Sequence, residues 1–254
     1  MSEITCPSGL RGTIRKMKVQ EARSFTSQRK ARGDPTGRLL QACWEETVDP
    51  GPYDFGDRGI DWNKVLIGDR LYALMAIRME TFGPEYAFSV NCRERECRRR
   101  IEWELDLNEL PVRGLSDESR AAFINGNRFE TRLPEAGRRL WFRMLLGEDE
   151  VRLARLRQGR DELDLFDLVG FRVVEIEGVE PRKIRAFIDD LSMSDADFLI
   201  DEFDRVDCGV DTAIDIECPR CGAVQEIELP FDRTFLMPGK GRTARRGRSG
   251  SFAS

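Results

Sequence analysis

Four cysteines in two short pairs, Cys92-x4-Cys97 and Cys218-Pro219-Arg220-Cys221, are the residues of this 254-residue chain whose types and spacing could do chemistry. The chain has no histidine, so a metal ion would have to be held by thiolates and carboxylates. Four thiolates in two pairs suit tetrahedral Zn²⁺. In the second pair, Pro219 and Gly222 shape a tight turn whose backbone N–H groups point at the sulfurs and lower their pKa. The first pair is looser. Arg93, Arg95, Arg98, Arg99 and Arg100 around it would offset the double negative charge of a Zn(Cys)4 centre. The expected ligands are Cys92, Cys97, Cys218 and Cys221, in a structural site, because four thiolates leave no open position for water.

The same residues admit other readings. They could be metal-free thiols, or Cys218 and Cys221 could be a redox pair. A redox C-x-x-C opens a helix after a strand, so that the helix dipole activates the first thiol. Here Gly222 and an alternating strand pattern follow instead. The arginine run 93–100 could grip phosphates as part of a zinc-ribbon nucleic-acid-binding or regulatory module. Glu94 and Glu96 interrupt it and no aromatic residues interleave to stack bases, which favours a solvated or protein-facing loop.

Enzyme signatures are absent. Without histidine there is no Ser–His or Cys–His nucleophile system. Gly239-x-Gly241 lacks the strand–loop–helix setting of a phosphate loop. Asp189-Asp190 and the group Asp195, Asp197, Asp201 and Glu202 are expected on solvated helix faces. The expected activity is binding, with no small-molecule substrate.

Composition fits a folded chain, 40% hydrophobic and 34% charged. No apolar run approaches the ~20 residues that cross a bilayer. The start, Met1-Ser2-Glu3-Ile4-Thr5, lacks a secretory pattern, so a cytosolic protein is expected. Seven cysteines at uneven spacing fit reduced thiols better than a disulfide framework, with Cys6, Cys43 and Cys208 left as packing residues. Charge is unevenly placed. The segment 239–254 holds Lys240, Arg242, Arg245, Arg246 and Arg248 and no acidic residue; its +5 against a whole-chain −5 leaves residues 1–238 at −10. That Gly-, Ser- and Arg-rich tail is expected to be disordered.

The elements that must position the cysteines follow from periodicity. Residues 1–12 read as irregular, and 14–25 as a short strand passing into a helix. Asp34 as N-cap with Pro35 at the first position starts a helix whose stripe is Leu39, Leu40, Cys43 and Trp44. A longer helix is expected from Asp61 or Trp62 to Phe82, with Gly68 as a point of division and Gly83-Pro84 as its end. Tyr86, Phe88 and Val90 alternate into Cys92, and Ile101, Trp103, Leu105 and Leu107 leave Cys97, so the first pair sits at a hairpin turn. A second hairpin is expected over 129–133 and 139–145, then helices over 148–157, 163–176, 181–191 and 194–208, the last capped by Ser194 and Gly209. Ala213, Ile214 and Ile216 lead to Cys218, and Val224, Ile227, Leu229 and Phe231 leave Cys221.

The resulting fold class is α+β, with zinc-ribbon-like β-hairpins formed by two distant Cys pairs, a helical N-terminal region and a mostly helical insert. The organisation is 1–84 helical, 85–112 with 213–238 as one composite zinc-ribbon module, 113–212 as the insert, and 239–254 as the basic tail. The insert and helix 61–82 hold the largest apolar stripes outside the ribbon and are expected to supply most partner contacts.

The order of motifs resembles the T4-type baseplate hub assembly family of contractile-tailed bacteriophages. The matching residues are Gly9-Leu10, Ile14-Arg15 and Glu21, then Gly68-Asp69-Arg70, Ile77-Arg78, Thr81-Phe82-Gly83 and the Cys92 pair. They continue with Arg132-Leu133-Pro134, Ile176-Glu177-Gly178, the Leu191–Asp197 segment and Gly209-Val210-Asp211, and close on Cys218-Pro219-Arg220-Cys221-Gly222, Leu229-Pro230-Phe231 and Phe235-Leu236-Met237-Pro238. The likeness spans about 9 to 238 and is sharpest from Gly209 onward; the tail looks like an addition. It implies a non-enzymatic part in building the baseplate or hub of a contractile tail or related injection system, through contacts with other baseplate, hub or tail proteins. It implies work in the bacterial host cytoplasm during assembly, with a possible place in the virion tail baseplate.

Overall fold

Residues 1–12 hold too few apolar side chains for an alternation to show, yet they form strands in the computed structural model, which describes residues 1–26, 34–156, 165–231 and 233–236. The expected tail 239–254, Gly239-x-Gly241 and the helix ends at 157 and 163 lie outside the described residues. β1 (Ser2–Thr5) pairs antiparallel with β2 (Arg11–Ile14), Ser2 opposite Ile14. Their turn needs Gly9 at φ +96. After α1 (Val19–Thr26) comes α2 (Pro35–Cys43), started as expected: the Asp34 carboxylate accepts the Gly37 N–H at 2.8 Å. The helix stops one residue early, because Trp44 turns extended and opens β3 (Trp44–Asp49), which completes a sheet in the order β1-β2-β3. Gly12 in β2 makes this possible. A Cβ there would collide with the Trp44 ring.

α3 (Ile67–Phe82) begins later than expected. Residues 61–66 are held in a turn, with the Leu66 N–H donating to the Tyr53 hydroxyl at 3.2 Å. Gly68 does not divide the helix; it lets the first turn of α3 touch the backbone at Cys208, whose carbonyl a Cβ would strike. Asp69, Arg70 and Ala73 through Arg78 are all buried. The apolar stripe expected to meet partners is therefore spent inside, and Phe82 at the far end is the large apolar side chain that α3 exposes. Gly83, at φ +91, ends the helix by donating to the Met79 carbonyl at 2.8 Å.

β4 (Glu85–Asn91) and β5 (Arg100–Asp106) form the expected hairpin, in register from Glu85↔Asp106 to Asn91↔Arg100. β6 (Val112–Arg113) and α4 (Asp117–Ile124), the latter capped by Ser116 accepting from the Ser119 N–H at 3.0 Å, were not legible because both are short. β7 (Phe129–Arg132) and β8 (Arg139–Phe142) pair as expected. Then come α5 (Gly147–Leu156) and α6 (Leu165–Arg172), and the expected helix 163–176 breaks into β9 (Val173–Ile176), a third strand on β8. The β-branched Val173-Val174 pair suits that strand.

Pro181–Lys183 form a 3₁₀ turn before α7 (Ile184–Asp189). α8 (Met193–Val206) is capped by Ser192 instead of Ser194, with the Asp195 N–H donating to its hydroxyl at 3.1 Å. It ends at Asp207, so Gly209 is not its cap and opens β10 (Gly209–Val210), which pairs with β6. β11 (Ala213–Glu217) and β12 (Val224–Glu228) form the second cysteine-bearing hairpin, and α9 (Arg233–Leu236) follows. One continuous core runs through Leu10, Leu40, Ile77, Tyr86, Phe142, Leu199, Ile216 and Phe235. The chain is thus a mix of helices and small antiparallel sheets. Among the described residues no helix is long and apolar enough to cross a membrane.

Candidate metal centre

The hairpin turns β4–β5 and β11–β12 meet, and the sulfurs of Cys92, Cys97, Cys218 and Cys221 all lie within 4.8 Å of one another. The close pairs cross between hairpins: Cys92 to Cys221 at 3.7 Å and Cys97 to Cys218 at 3.8 Å. A tetrahedral ion with metal–sulfur bonds of about 2.3 Å has sulfur–sulfur edges of about 3.8 Å, so the four sulfurs are spaced to hold one. Cys92 and Cys218 are buried, Cys97 is half-buried and Cys221 is exposed.

The two turns have the same backbone plan despite unlike sequences. The Cys92 N–H donates to the Arg99 carbonyl and the Cys218 N–H to the Ala223 carbonyl, both at 2.8 Å. In the first turn, the Cys97 and Arg98 N–H groups both reach the Glu94 carbonyl at 3.0 Å; in the second, the Gly222 N–H reaches the Cys218 carbonyl at 2.9 Å. The residue after the second cysteine is left-handed in each, Gly222 at φ +71 and Arg98 at φ +42. Glycine takes that conformation freely, whereas a residue with a Cβ is held there at ~1–2 kcal/mol. Arg98→Gly is therefore expected to raise the thermal midpoint by about 1–2 °C, and Gly222→Ala to lower it by a similar or larger amount, read by circular dichroism.

Gln225 joins the hairpins beside the sulfurs. Its side-chain oxygen accepts the Arg93 N–H at 2.8 Å and its amide donates to the Asn91 carbonyl at 3.3 Å. The alternation places Val224, Ile227, Leu229 and Phe231 inward; in the structure Ile227 and Leu229 do face the core, joined by Gln225, while Val224 is 64% and Phe231 37% exposed. A polar residue at an inward position is the signal that periodicity discards. Below the turns, the Tyr86 hydroxyl of β4 donates to the Pro230 carbonyl at 2.5 Å, and the Tyr86 ring packs edge-on against Phe235 at 5.1 Å.

The thiols do not ionise alike. The Cys221 and Arg220 amides, aimed at its sulfur, hold Cys218 below the usual thiol range. At Cys92 the Glu94 amide pulls down, but burial and the neighbouring sulfurs of Cys221, Cys218 and Cys97 outweigh it and push the thiol up. Cys221, although the residue is exposed, is raised too, against the pull of the Ala223 amide, by partial desolvation of its sulfur and by the Cys218 and Cys97 sulfurs. A cation bound here would displace the thiol protons that remain.

Arg93, Arg95, Arg98, Arg99 and Arg100 are exposed around the first turn, and the fold adds Arg220 from the second. Arg100 pairs with Glu102 at 3.0 Å. Cys6, Cys43 and Cys208 are buried away from this cluster. Burial pushes Cys43 up to about 11 and raises Cys6 and Cys208 as well, which leaves them as packing residues.

One carboxylate departs from the solvated face expected of it. Asp195 is buried, and its two oxygens accept the Glu135 and Ala136 N–H groups, each at 2.9 Å, pinning the β7–β8 turn to α8. Asp189, Asp190, Asp197 and Asp201 are exposed as expected, and Glu202 pairs with Arg205 at 3.1 Å.

A family model described as T4 bacteriophage base plate protein matches residues 2–235. No curated protein and no solved structure matches the chain.

Proposed function

Since the chain belongs to the T4 bacteriophage base plate protein family over residues 2–235, we propose that it is a non-enzymatic structural or assembly protein of the baseplate or hub of a contractile tail. It works by protein–protein contact in the bacterial cytoplasm, where tails are built, and its destination is the tail baseplate. The family match is the observation that carries this reading.

Within it, Cys92, Cys97, Cys218 and Cys221 bind one structural Zn²⁺. The sulfur spacing and a cluster made of sulfur ligands alone support zinc held by four thiolates, with no position for a reacting water. The ion clasps 85–112 to 213–238 as one composite module and leaves 113–212 as a lobe that shares the common core and packs on α3 at Gly68 and Arg70. Because α3 is enclosed, partner contacts fall to that lobe and to the exposed arginines of the two turns. Arginine suits such surfaces, since its planar fork pairs with carboxylates.

The test is a nonsense mutation of the coding gene in its parent phage or particle. Electron microscopy of the lysate is expected to show filled heads without complete baseplates or contractile tails, restored by the wild-type protein in trans. Normal baseplates in its absence would sink the proposal.

A further inference from the structure

A groove of about 630 Å³ lies where β6 and β10 meet the start of α3. Leu66, Leu71 and Met144 form its apolar floor, and Val112, 51% exposed, stands at its edge. Its rim is acidic: Asp204, Asp207, Asp211 and Glu228 face it, against one base, Arg113. Asp207 is taken up by Arg172, at 2.6 and 2.7 Å. Asp211 and Glu228 meet neutral donors, the Ala213 amide and the Thr212 hydroxyl, and Asp204 is exposed, whereas among the described residues Asp207 alone of the four is held by an arginine.

An apolar slot with such a rim fits a basic segment free of acidic residues, and the chain carries one. Residues 239–254 hold five cations and no carboxylate side chain, on a body whose formal charge is −10. The segment also starts nearby. Glu228 of the rim precedes Leu236, the last described residue, by eight positions. The Phe235 carbonyl accepts from the Arg78 guanidinium at 3.4 Å. Arg78 lies ten residues along α3 from Gly68 of the groove, about 15 Å of helix. An extended chain leaving Leu236 brings Arg242 within about 20 Å and Arg248 within about 40 Å, enough to cover that distance.

We infer that the basic segment 239–254 docks in this groove of its own chain, its cations against Asp204, Asp211 and Glu228. The groove, the charges and the reach carry this independently of the baseplate reading and of any metal.

Zero-length carbodiimide cross-linking of the full-length protein, with mass spectrometry of the monomer band, tests it. Lys240 is expected to couple to Asp204, Asp211 or Glu228, with a yield that falls severalfold between about 0.05 and 0.5 M salt as screening weakens the attraction. Hydrogen exchange supplies the second arm. Amides of residues 112–113 and 209–212 are expected to exchange about fivefold faster in the K240S/R242S/R245S/R246S/R248S variant, whose changes all lie outside the described residues. Unchanged exchange in that variant overturns the proposal, as do Lys240 cross-links confined to other carboxylates. Cross-links found only in covalent dimers overturn it in favour of docking onto a second copy.

Discussion

Removing the metal with a chelator, or replacing Cys218 with Ser, is expected to lower the thermal midpoint by more than ~10 °C and to broaden the transition. The expectation follows from how little else closes the module. β4–β5 and β11–β12 are separate two-stranded sheets, with no ladder between them among the described residues. A lone two-stranded hairpin is marginal in water. Among the described residues, what spans the gap besides the sulfurs includes the pair of Gln225 hydrogen bonds, the Tyr86–Pro230 bond, the edge-on Tyr86–Phe235 contact and a shared core to which Ile101, Ile216 and Ile227 belong. A metal bound to Cys92 and Cys218 also closes a chain loop of more than a hundred residues, which the unfolded state otherwise leaves open. Metal analysis of protein purified without chelator should find about one zinc per chain. Chelated wild type should recover on adding zinc, whereas C218S should not, which separates metal loss from a general packing defect. A metal-free wild type that melts at the same midpoint as the untreated protein would falsify the clasp.

The cysteine module was legible because its signals are local. Alternation over seven residues gives β4 and β5, and C-P-x-C-G gives the second turn with Gly222 at positive φ. Asp34 before Pro35 marked a true helix start for the same reason. Elements whose cause lies far along the chain were not legible. Four-residue strands such as β1 and β2 carry too few positions for a period, and Trp44 leaves its helix only because Gly12, more than thirty residues earlier, offers it a bare backbone. Arg98 gave no hint that it copies the role of Gly222, since arginine is not a residue that advertises a left-handed turn. Charged residues misled most. Asp195 was expected on a solvated helix face, yet it is buried, because the two amides it answers, at Glu135 and Ala136, lie far along the chain in another hairpin turn.

Replacing Arg70 with Ala is expected to cost about 3–5 kcal/mol, the range for removing one partner of a buried ion pair and leaving the others unanswered. The Arg70 side chain is 1% exposed. One of its terminal nitrogens reaches both Asp34 oxygens, at 3.0 and 2.8 Å, the other donates to the Trp62 carbonyl at 2.7 Å, and Nε meets Glu150 at 2.9 Å. Gly147 and Gly37 are shaped around it, since a Cβ at Gly147 would stand 2.5 Å and one at Gly37 3.3 Å from the guanidinium. Lysine cannot replace it, because a single ammonium cannot serve a carboxylate, a second carboxylate and a carbonyl in three directions. The two residues before it are held just as firmly. Gly68 abuts the backbone at Cys208, and Asp69 accepts the Ser8 N–H at 2.9 Å, the Tyr53 hydroxyl at 2.6 Å and the Ser8 hydroxyl. Three consecutive residues at the start of α3 thus fasten β10, the β1–β2 turn, the Tyr53 loop, α2 and α5 to one point. This gives the Gly68-Asp69-Arg70 run a physical reason that its charged composition hid. A double-mutant cycle in urea checks it: Asp34→Asn and Arg70→Ala together should cost less than the sum of the single changes by more than ~1.5 kcal/mol. A loss below about 1 kcal/mol for Arg70→Ala alone would mean that the buried guanidinium merely offsets its own desolvation, and that α3 is held in place by its apolar face.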